Sequence, residues 1–366
     1  MTFPPDSIAV ALIGYGYAGK TFHAPLIQAV PGLRLAVVSS SSAEKVRADL
    51  PTVTVVADPL VAATHPEVQL VVIASPNDSH APLATAALHA GKHVVVDKPF
   101  TLTLAEAREL AALAAAQNRV LSVFQNRRWD GDFMALQAVL RERRLGEVVH
   151  FESHFDRFRP EVLARWREQD VLGAGIWFDL GPHIVDQALQ LFGLPQTVSA
   201  SLVRQRPGAA AVDWAHVILS YGRKQVVLHA GMLVAGAGPR FAVHGTVGSW
   251  IKHGLDTQEN QLRAHSQSGA SGSGADSQSA TLHVGATGER LQLPVPPGDY
   301  TEYYRQIHAA IVRQSPNPVP PVQAVAVMAV LETAIESAAT RRTLPLPLTE
   351  AERGQYLAGN IQLNPC

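Results

Sequence analysis

Three short stretches of this sequence hold residues whose types and spacing suit chemistry. In AVALIGYGYAG (9–19), Gly14, Gly16 and Gly19 take the spacing G-x-G-x-x-G directly after an apolar run. Between a strand and a helix, that pattern cradles a dinucleotide. Gly14 permits the tight turn, Gly16 lets the backbone approach a pyrophosphate, and Gly19 lets helix and strand pack closely. Tyr15, Tyr17 and Ala18 belong to the same loop, and the helix N-terminus offers unpaired N–H groups and partial positive charge to the phosphates. About twenty residues on, NAD-binding sheets place a carboxylate against the ribose 2′-OH. This chain has Ser39, Ser40, Ser41 and Ser42 there, with Lys45 and Arg47 nearby. Hydroxyls and a cation suit a 2′-phosphate, so NADP is expected in preference to NAD. The same serines could instead simply cap the next helix.

The second stretch is Asp97-Lys98-Pro99, which closes the run KHVVVD. Ligands of doubly wound sheets bind beyond the carboxyl ends of the strands, so Lys98 is expected to point into the cofactor crevice with Asp97 beside it. Pro99 fixes the direction in which the chain leaves. SPNDSH (75–80) ends a neighbouring strand and directs Ser75, Pro76, Asn77 and His80 toward the nicotinamide end. In the third stretch, GIWFDLGPHIVD (175–186), Asp179 and His183 stand four residues apart. Proline is easiest in the first turn of a helix, so Pro182 places Asp179 at or just before the helix start. An aspartate and a histidine so spaced can exchange protons, cap a helix or bind a metal. No further His, Cys or Asp ligands at regular spacing accompany them, and no metal is expected.

The elements that must hold these residues change character along the chain. Apolar runs at 8–14, 33–39, 68–75, 92–97 and 120–124 read as strands covered on both faces, separated by helical segments through Val30, over 80–90 and over 104–117. Alternation of strand and helix predicts a parallel doubly wound sheet over residues 1–125. From 126 to 366 a helix (132–144) leads into VVHFESHFDRF, TVSASLVRQ, AHVILSY and QVVLHAGMLV, with almost no helix among the later runs. Short turns between such runs predict an α+β domain with an open, mainly antiparallel sheet. The Gly/Ser-rich tract 265–280 is expected to be a mobile surface loop, and 322–340 a helix.

Composition narrows the partners. Hydrophobic residues make up 47% and charged residues 17%, enough for packed cores. Lys plus Arg is 30 against 31 Asp plus Glu, a balance that favours neither nucleic acid nor an anionic membrane. No stretch reaches the roughly 18 uncharged apolar residues of a membrane span, and the N-terminus lacks the pattern of an export signal. The single cysteine, Cys366, cannot form an internal disulfide. A cytoplasmic protein acting on a small molecule is the expectation.

GYGYAGKTFHAPLI, the lysine after its strand, VLSVFQNRRWDGDF, FDRFRPEV, RWRE and DLGPHIVDQ together resemble the Gfo/Idh/MocA oxidoreductases, and within them the NADP-dependent scyllo-inositol dehydrogenase branch. The resemblance spans nearly the whole chain; where relatives carry E-K-P, this chain has Asp97-Lys98-Pro99. It implies a Rossmann domain followed by an open-sheet domain, hydride transfer between NADP or NAD and a carbinol carbon of a polyol or sugar, and a homo-oligomer, dimer or tetramer. Lys98, Asp179 and His183 then match the family's catalytic lysine, aspartate and histidine. His183 would act as general base, Asp179 would orient it, and Lys98 would stabilise charge on the substrate oxygen. Arg127, Trp166 and Arg167 match positions near cofactor or substrate. Asn126, His154, Arg157 and Arg159 are candidate pocket polar groups, though they equally suit a solvated sheet face. Two other readings stand beside this one: a non-catalytic dinucleotide-binding redox sensor, and a family enzyme with tightly held NAD acting on glycosides or imines.

Overall fold

The computed structural model describes residues 7–236, 238–264 and 278–359, so nearly all of the 265–280 tract lies outside the described residues. The described residues pack as two compact units. The first holds those up to Trp129 and takes back later ones from 257–274 and 299–325; the second holds those of 130–256, 275–298 and 326–366.

The first unit is built on six parallel strands in the order β3-β2-β1-β4-β5-β6. They are β1 (Ile8–Ile13), β2 (Leu33–Ser39), β3 (Thr54–Val56), β4 (Leu70–Ile73), β5 (His93–Val96) and β6 (Leu121–Val123). Every residue of β1 and β4 is buried, as their unbroken apolar runs require when both sheet faces are covered. Helices α1 (Ala24–Gln28), α2 (Ala43–Asp49), α3 (Pro59–Ala63), α4 (His80–His89) and α5 (Leu104–Ala116) connect the strands. Helix α1 is preceded by a π-helical turn over Gly19–His23. At the start of α5, Thr103 and Glu106 form a capping box, each side chain accepting from the other's backbone N–H. The short strand β3 and helix α3 escape the sequence reading because neither is long enough to show a period.

The second unit carries a nine-stranded sheet in the order β14-β13-β12-β11-β7-β10-β9-β8-β15. Its strands are β7 (Val148–His154), β8 (Thr197–Val203), β9 (Trp214–Tyr221), β10 (Lys224–Gly231), β11 (Phe241–Gly245), β12 (Gly248–Lys252), β13 (Ala280–Val284), β14 (Arg290–Leu293) and β15 (Leu344–Pro345). All neighbours are antiparallel except β7 and β10, which run parallel at the centre. Its helices include α6 (Gly131–Arg141) and α7 (Gly175–Phe192), and later Glu350–Gly359 and most of Pro321–Thr340. Phe151 of β7 meets Phe192 of α7 edge-on with ring centroids 5.2 Å apart, which identifies the sheet face that α7 covers.

Helix α7 corrects one expectation. It begins at Gly175, so Pro182 lies inside it and Asp179 sits within the helix rather than at its start. The start is set by Gly175, whose φ of +84° no side chain tolerates well and whose Cβ would come within 2.8 Å of the Val212 carbonyl. Pro182 offers no N–H to the carbonyl four residues back, a loss worth about 3 kcal/mol in an isolated helix. Burial of α7 around nearly its whole circumference offsets that loss.

The helix Pro321–Thr340 is long and apolar enough to cross a membrane by length and composition alone, and 67% of its most apolar window is buried inside the protein. Leu331 on it accepts from the Trp177 indole at 3.2 Å. Gly181 lies in the same contact: a Cβ there would stand 2.9 Å from the Trp177 ring and 3.0 Å from Leu331. Gly181→Val is therefore expected to cost about 1–3 kcal/mol through overpacking. Urea unfolding should show a lower midpoint at unchanged slope.

Candidate active site

In the first unit, the loop after β1 comes up against the end of β4. Gly14 has φ +94°, its N–H donates to the Ser39 carbonyl at 3.0 Å, and a Cβ on it would lie 2.6 Å from the Ala74 oxygen. A Cβ on Gly19 would run into the Gly14 carbonyl, whereas one on Gly16 would meet nothing within 4 Å. Two glycines are thus demanded by packing. The third leaves an open approach to backbone N–H groups, which is what a pyrophosphate needs. The loop tyrosines are tied down: the buried Tyr15 hydroxyl donates to Asp49 at 3.2 Å, and Asp49 also pairs with Lys20 at 2.7 Å. The Tyr17 hydroxyl donates to Glu259 at 2.7 Å, and burial with these carboxylates raises both phenols well above their ordinary pKa.

Past β2, Ser39 is buried, the Ser40 hydroxyl accepts from the Ser42 N–H at 3.2 Å, and the Ser42 hydroxyl accepts from the Lys45 N–H at 3.4 Å as the N-cap of α2. The capping reading is realised at Ser42, while Ser41 and Lys45 remain exposed on the same rim. Residues that can hold a nicotinamide dinucleotide are therefore gathered at the carboxyl end of this sheet.

The loops after β4 and β5 are locked together by a histidine. The fully buried His80 ring places Nδ1 2.9 Å from the Pro99 carbonyl and Nε2 3.0 Å from the Ser75 carbonyl. Desolvation lowers its pKa, although Asp97 and the carbonyls oppose that. His80 thus acts from beneath, as a clamp on the segment that carries Lys98. Asp97 accepts from the Lys98 N–H at 2.8 Å and lies 3.8 Å from His23, whose other nitrogen meets the Tyr304 hydroxyl at 2.5 Å. Burial alone would raise the Asp97 pKa, but His23, Lys98 and His80 outweigh it and hold the carboxyl below its ordinary value. Ser75 bonds Ser79, Asn77 is buried in the next turn, and the Lys98–Pro99 peptide is cis. Asn126 and Arg127 are buried in the turn Asn126–Trp129, with Arg127 paired to Glu259 at 2.8 Å.

In the second unit, Asp179 and His183 follow one another by a single turn of α7, on the same side of the helix. The Asp179 side chain is 19% exposed and pairs with Arg157 at 3.3 Å, and His183 is buried. Arg165, Arg167, Glu168 and Arg206 line a cleft with Asp179, and the Arg167 guanidinium lies over the Trp166 ring at 5.2 Å. Desolvation lowers the Arg159 pKa, aided by Arg157 and Arg165. The surroundings of Asp179 are accordingly cationic. His154 is placed elsewhere: strand alternation sets it, with His150 and Glu152, on the sheet face opposite Phe151 and hence away from α7.

Sequence reading missed the group that holds this cleft. Arg206, 2% exposed, donates to Glu168 at 2.5 Å, to Asp213 at 2.9 Å and to the carbonyls of Arg159 and Glu161 at 3.2 and 2.9 Å. Glu168 also accepts from Arg165 at 2.9 Å. One guanidinium thereby fixes both the 157–161 segment and the Trp166–Glu168 turn. Only the fold brings these residues together, and no local motif announces them.

A Rossmann sheet in the order 3-2-1-4-5-6, with a glycine loop shaped for a pyrophosphate, defines a nicotinamide dinucleotide-binding protein, and the lysine and Asp–His pair suit an oxidoreductase. Residues 8–125 match the family described as "Oxidoreductase family, NAD-binding Rossmann fold", and residues 137–348 match its C-terminal alpha/beta domain. The chain belongs to the Gfo/Idh/MocA oxidoreductase family. It is 54% identical over 343 residues to the uncharacterized oxidoreductase YdgJ of Escherichia coli (strain K12), covering 93% of this chain and 99% of that one. It is 36% identical over 345 residues to scyllo-inositol 2-dehydrogenase (NADP(+)) IolW of Bacillus subtilis (strain 168), covering 93% and 96%. A crystal structure from Klebsiella pneumoniae aligns with a TM-score of 0.91 at 53% identity, covering 97% of this chain and 99% of that one.

Two outcomes follow from the buried charges. Asp97, with a pKa held below its ordinary 3.8, contributes stability above that pH, and the contribution is lost as pH falls through the folded value. Asp97→Asn should unfold at lower urea than the wild type at pH 7, with the gap closing on acidification below about pH 4. Arg206→Met leaves Glu168 and Asp213 buried without their cation. It should cost about 3–5 kcal/mol in the same titration at neutral pH.

Proposed function

We propose that this oxidoreductase oxidises a secondary alcohol of a cyclic polyol or sugar, and reduces the corresponding ketone, with NADP as partner. The observation that carries the reading is the Asp179–His183 pair, set one turn apart on one side of α7, with Asp179 lining a cleft beside Arg165, Arg167 and Arg206. When bound, the dinucleotide supplies a nicotinamide that accepts or returns a hydride at C4. His183 takes the hydroxyl proton as the carbinol carbon is oxidised; Asp179 orients the ring and stabilises its protonated form. Lys98 supplies positive charge where negative charge grows on the substrate oxygen. Arg157, paired with Asp179, holds that carboxylate in register. The preference for NADP is supported by the exposed serine and lysine rim after β2, and by the name of the Bacillus subtilis relative. The polyol class is supported by that name and by a second relative, inositol 2-dehydrogenase of Rhodococcus jostii (strain RHA1), 29% identical over 148 residues. A cytoplasmic homo-oligomer completes the reading.

The test is a panel of inositols, sugars and short hydroxy compounds, each followed at the nicotinamide absorbance with NADP and with NAD. Turnover of a cyclic polyol with NADP is expected. Lys98→Met should lower kcat/KM by roughly 10²–10³-fold, while NADPH affinity measured by fluorescence stays near the wild-type value. Wild-type turnover by that variant would remove Lys98 from the mechanism. NADPH binding without turnover of any compound would favour the redox-sensor reading. Nucleotide retained through purification would favour an enzyme with tightly held NAD.

A further inference from the structure

The sheet face turned away from α7 carries a row of side chains with no part in this chemistry. Strand register sets His154 of β7 beside His229 of β10, and His229 beside His216 of β9. Their ring centroids are 5.2 and 5.6 Å apart. Asp156 continues the alternation of β7 on that face and turns its carboxylate between two of the rings. One oxygen lies 3.6 Å from His154 Nδ1 and the other 3.5 Å from His229 Nε2. The nitrogen and oxygen atoms that the three residues offer all lie within 4.8 Å of one another.

These separations exceed those of N–H···O hydrogen bonds, about 2.7–3.2 Å. Asp156 Oδ1, in a side chain only 7% exposed, has no hydrogen-bond partner, and neither has the buried His229 Nδ1. Each carboxylate oxygen faces one ring, and one ligand atom from each residue lies within 4.8 Å of the others, so small side-chain rotations would bring the three to the edges of a coordination tetrahedron. Metal–nitrogen and metal–oxygen bonds of about 2.0–2.2 Å put neighbouring ligand atoms roughly 3.3–3.6 Å apart. The His154 ring is also prepared for such a role. Its Nε2 lies 2.8 Å from Glu152 Oε2, which places the ring proton there and leaves the Nδ1 lone pair facing Asp156. That carboxylate–histidine–metal arrangement orients a ligand and raises its basicity.

We propose that His154, Asp156 and His229 bind one divalent transition-metal ion of the zinc class, with a coordination position left to water and Glu152 supporting His154. Two imidazoles select against magnesium and calcium, which take oxygen ligands. The ion would tie the end of β7 to β10, immediately before Arg157, whose N–H donates to the Gly231 carbonyl of β10 at 2.9 Å. No local spacing reveals the site, because its ligands come from strands far apart in sequence that become neighbours only in the sheet. The rival state is an imidazolium at His154 bridging Glu152 and Asp156, whose hydrogen bonds and charges do raise its pKa.

The test is titration of the chelator-stripped full chain with cobalt(II), read by the visible ligand-field absorption of a tetrahedral centre, and with zinc(II), read by calorimetry. One equivalent of cobalt and its displacement by zinc are expected. His229→Gln and Asp156→Asn should each weaken binding at least about 100-fold, and Glu152→Gln about 10–100-fold. His216→Gln, which removes the neighbouring ring only, should leave the affinity unchanged. Circular dichroism checks that each variant is folded, and an unfolded ligand variant passes the decision to the other. Absence of the cobalt spectrum in the wild type overturns the proposal. So does a spectrum that survives in a folded His229→Gln or Asp156→Asn variant.

Discussion

The first unit depends on one close approach: the loop after β1 lies directly against the end of β4, with Gly14 pressed on the Ala74 carbonyl. This contact marks the place in the order 3-2-1-4-5-6 where the chain reverses its direction of travel across the sheet. Connections from β1 and β4 leave in opposite directions there, so a crevice must open beyond the strand ends. No side chain fits between loop and strand, hence glycine. The Gly14 bond to Ser39 brings β2 and its serine rim to the same edge. His80 then fastens the loop after β4 to the segment holding Lys98, so three strand ends share one rigid frame.

Charge in this frame is arranged so that burial never stands alone. Asp97 would be costly to ionise in isolation, but His23, Lys98 and His80 surround it and keep it a carboxylate. The second unit solves the same problem with one guanidinium. Arg206 satisfies two buried carboxylates and two carbonyls, and in doing so holds the irregular chain from Arg159 to Glu168 beside Asp179. Irregular backbone near a reactive group gains its precision from such polar anchors, since it has no ladder of its own.

Helix α7 shows how tertiary burial overrides local preference. Proline in a helix interior is disfavoured, yet the helix continues through Pro182 because almost every residue around it is buried. The continuation sets the geometry of Asp179 and His183: within one regular helix, residues four apart share a face. Had the helix begun at Pro182, the aspartate would have sat on an extended segment with no fixed relation to the histidine.

The sequence alone determined the parallel sheet, because strands buried on both faces must read as unbroken apolar runs, and it marked the glycine loop by G-x-G-x-x-G spacing after the first of them; the fold then shows that packing excludes side chains at Gly14 and Gly19. It also marked Lys98 by its place after a strand and singled out Asp179 and His183 four residues apart, but only the structure set both within one helix. Tertiary structure decided what depends on residues distant in the chain. The parallel pairing of β7 with β10, the Arg206 anchor, the His80 clamp and the placing of His154 beside His229 all arise from register and burial. Such contacts leave no local period or spacing, because each partner meets the other only once the sheets have formed.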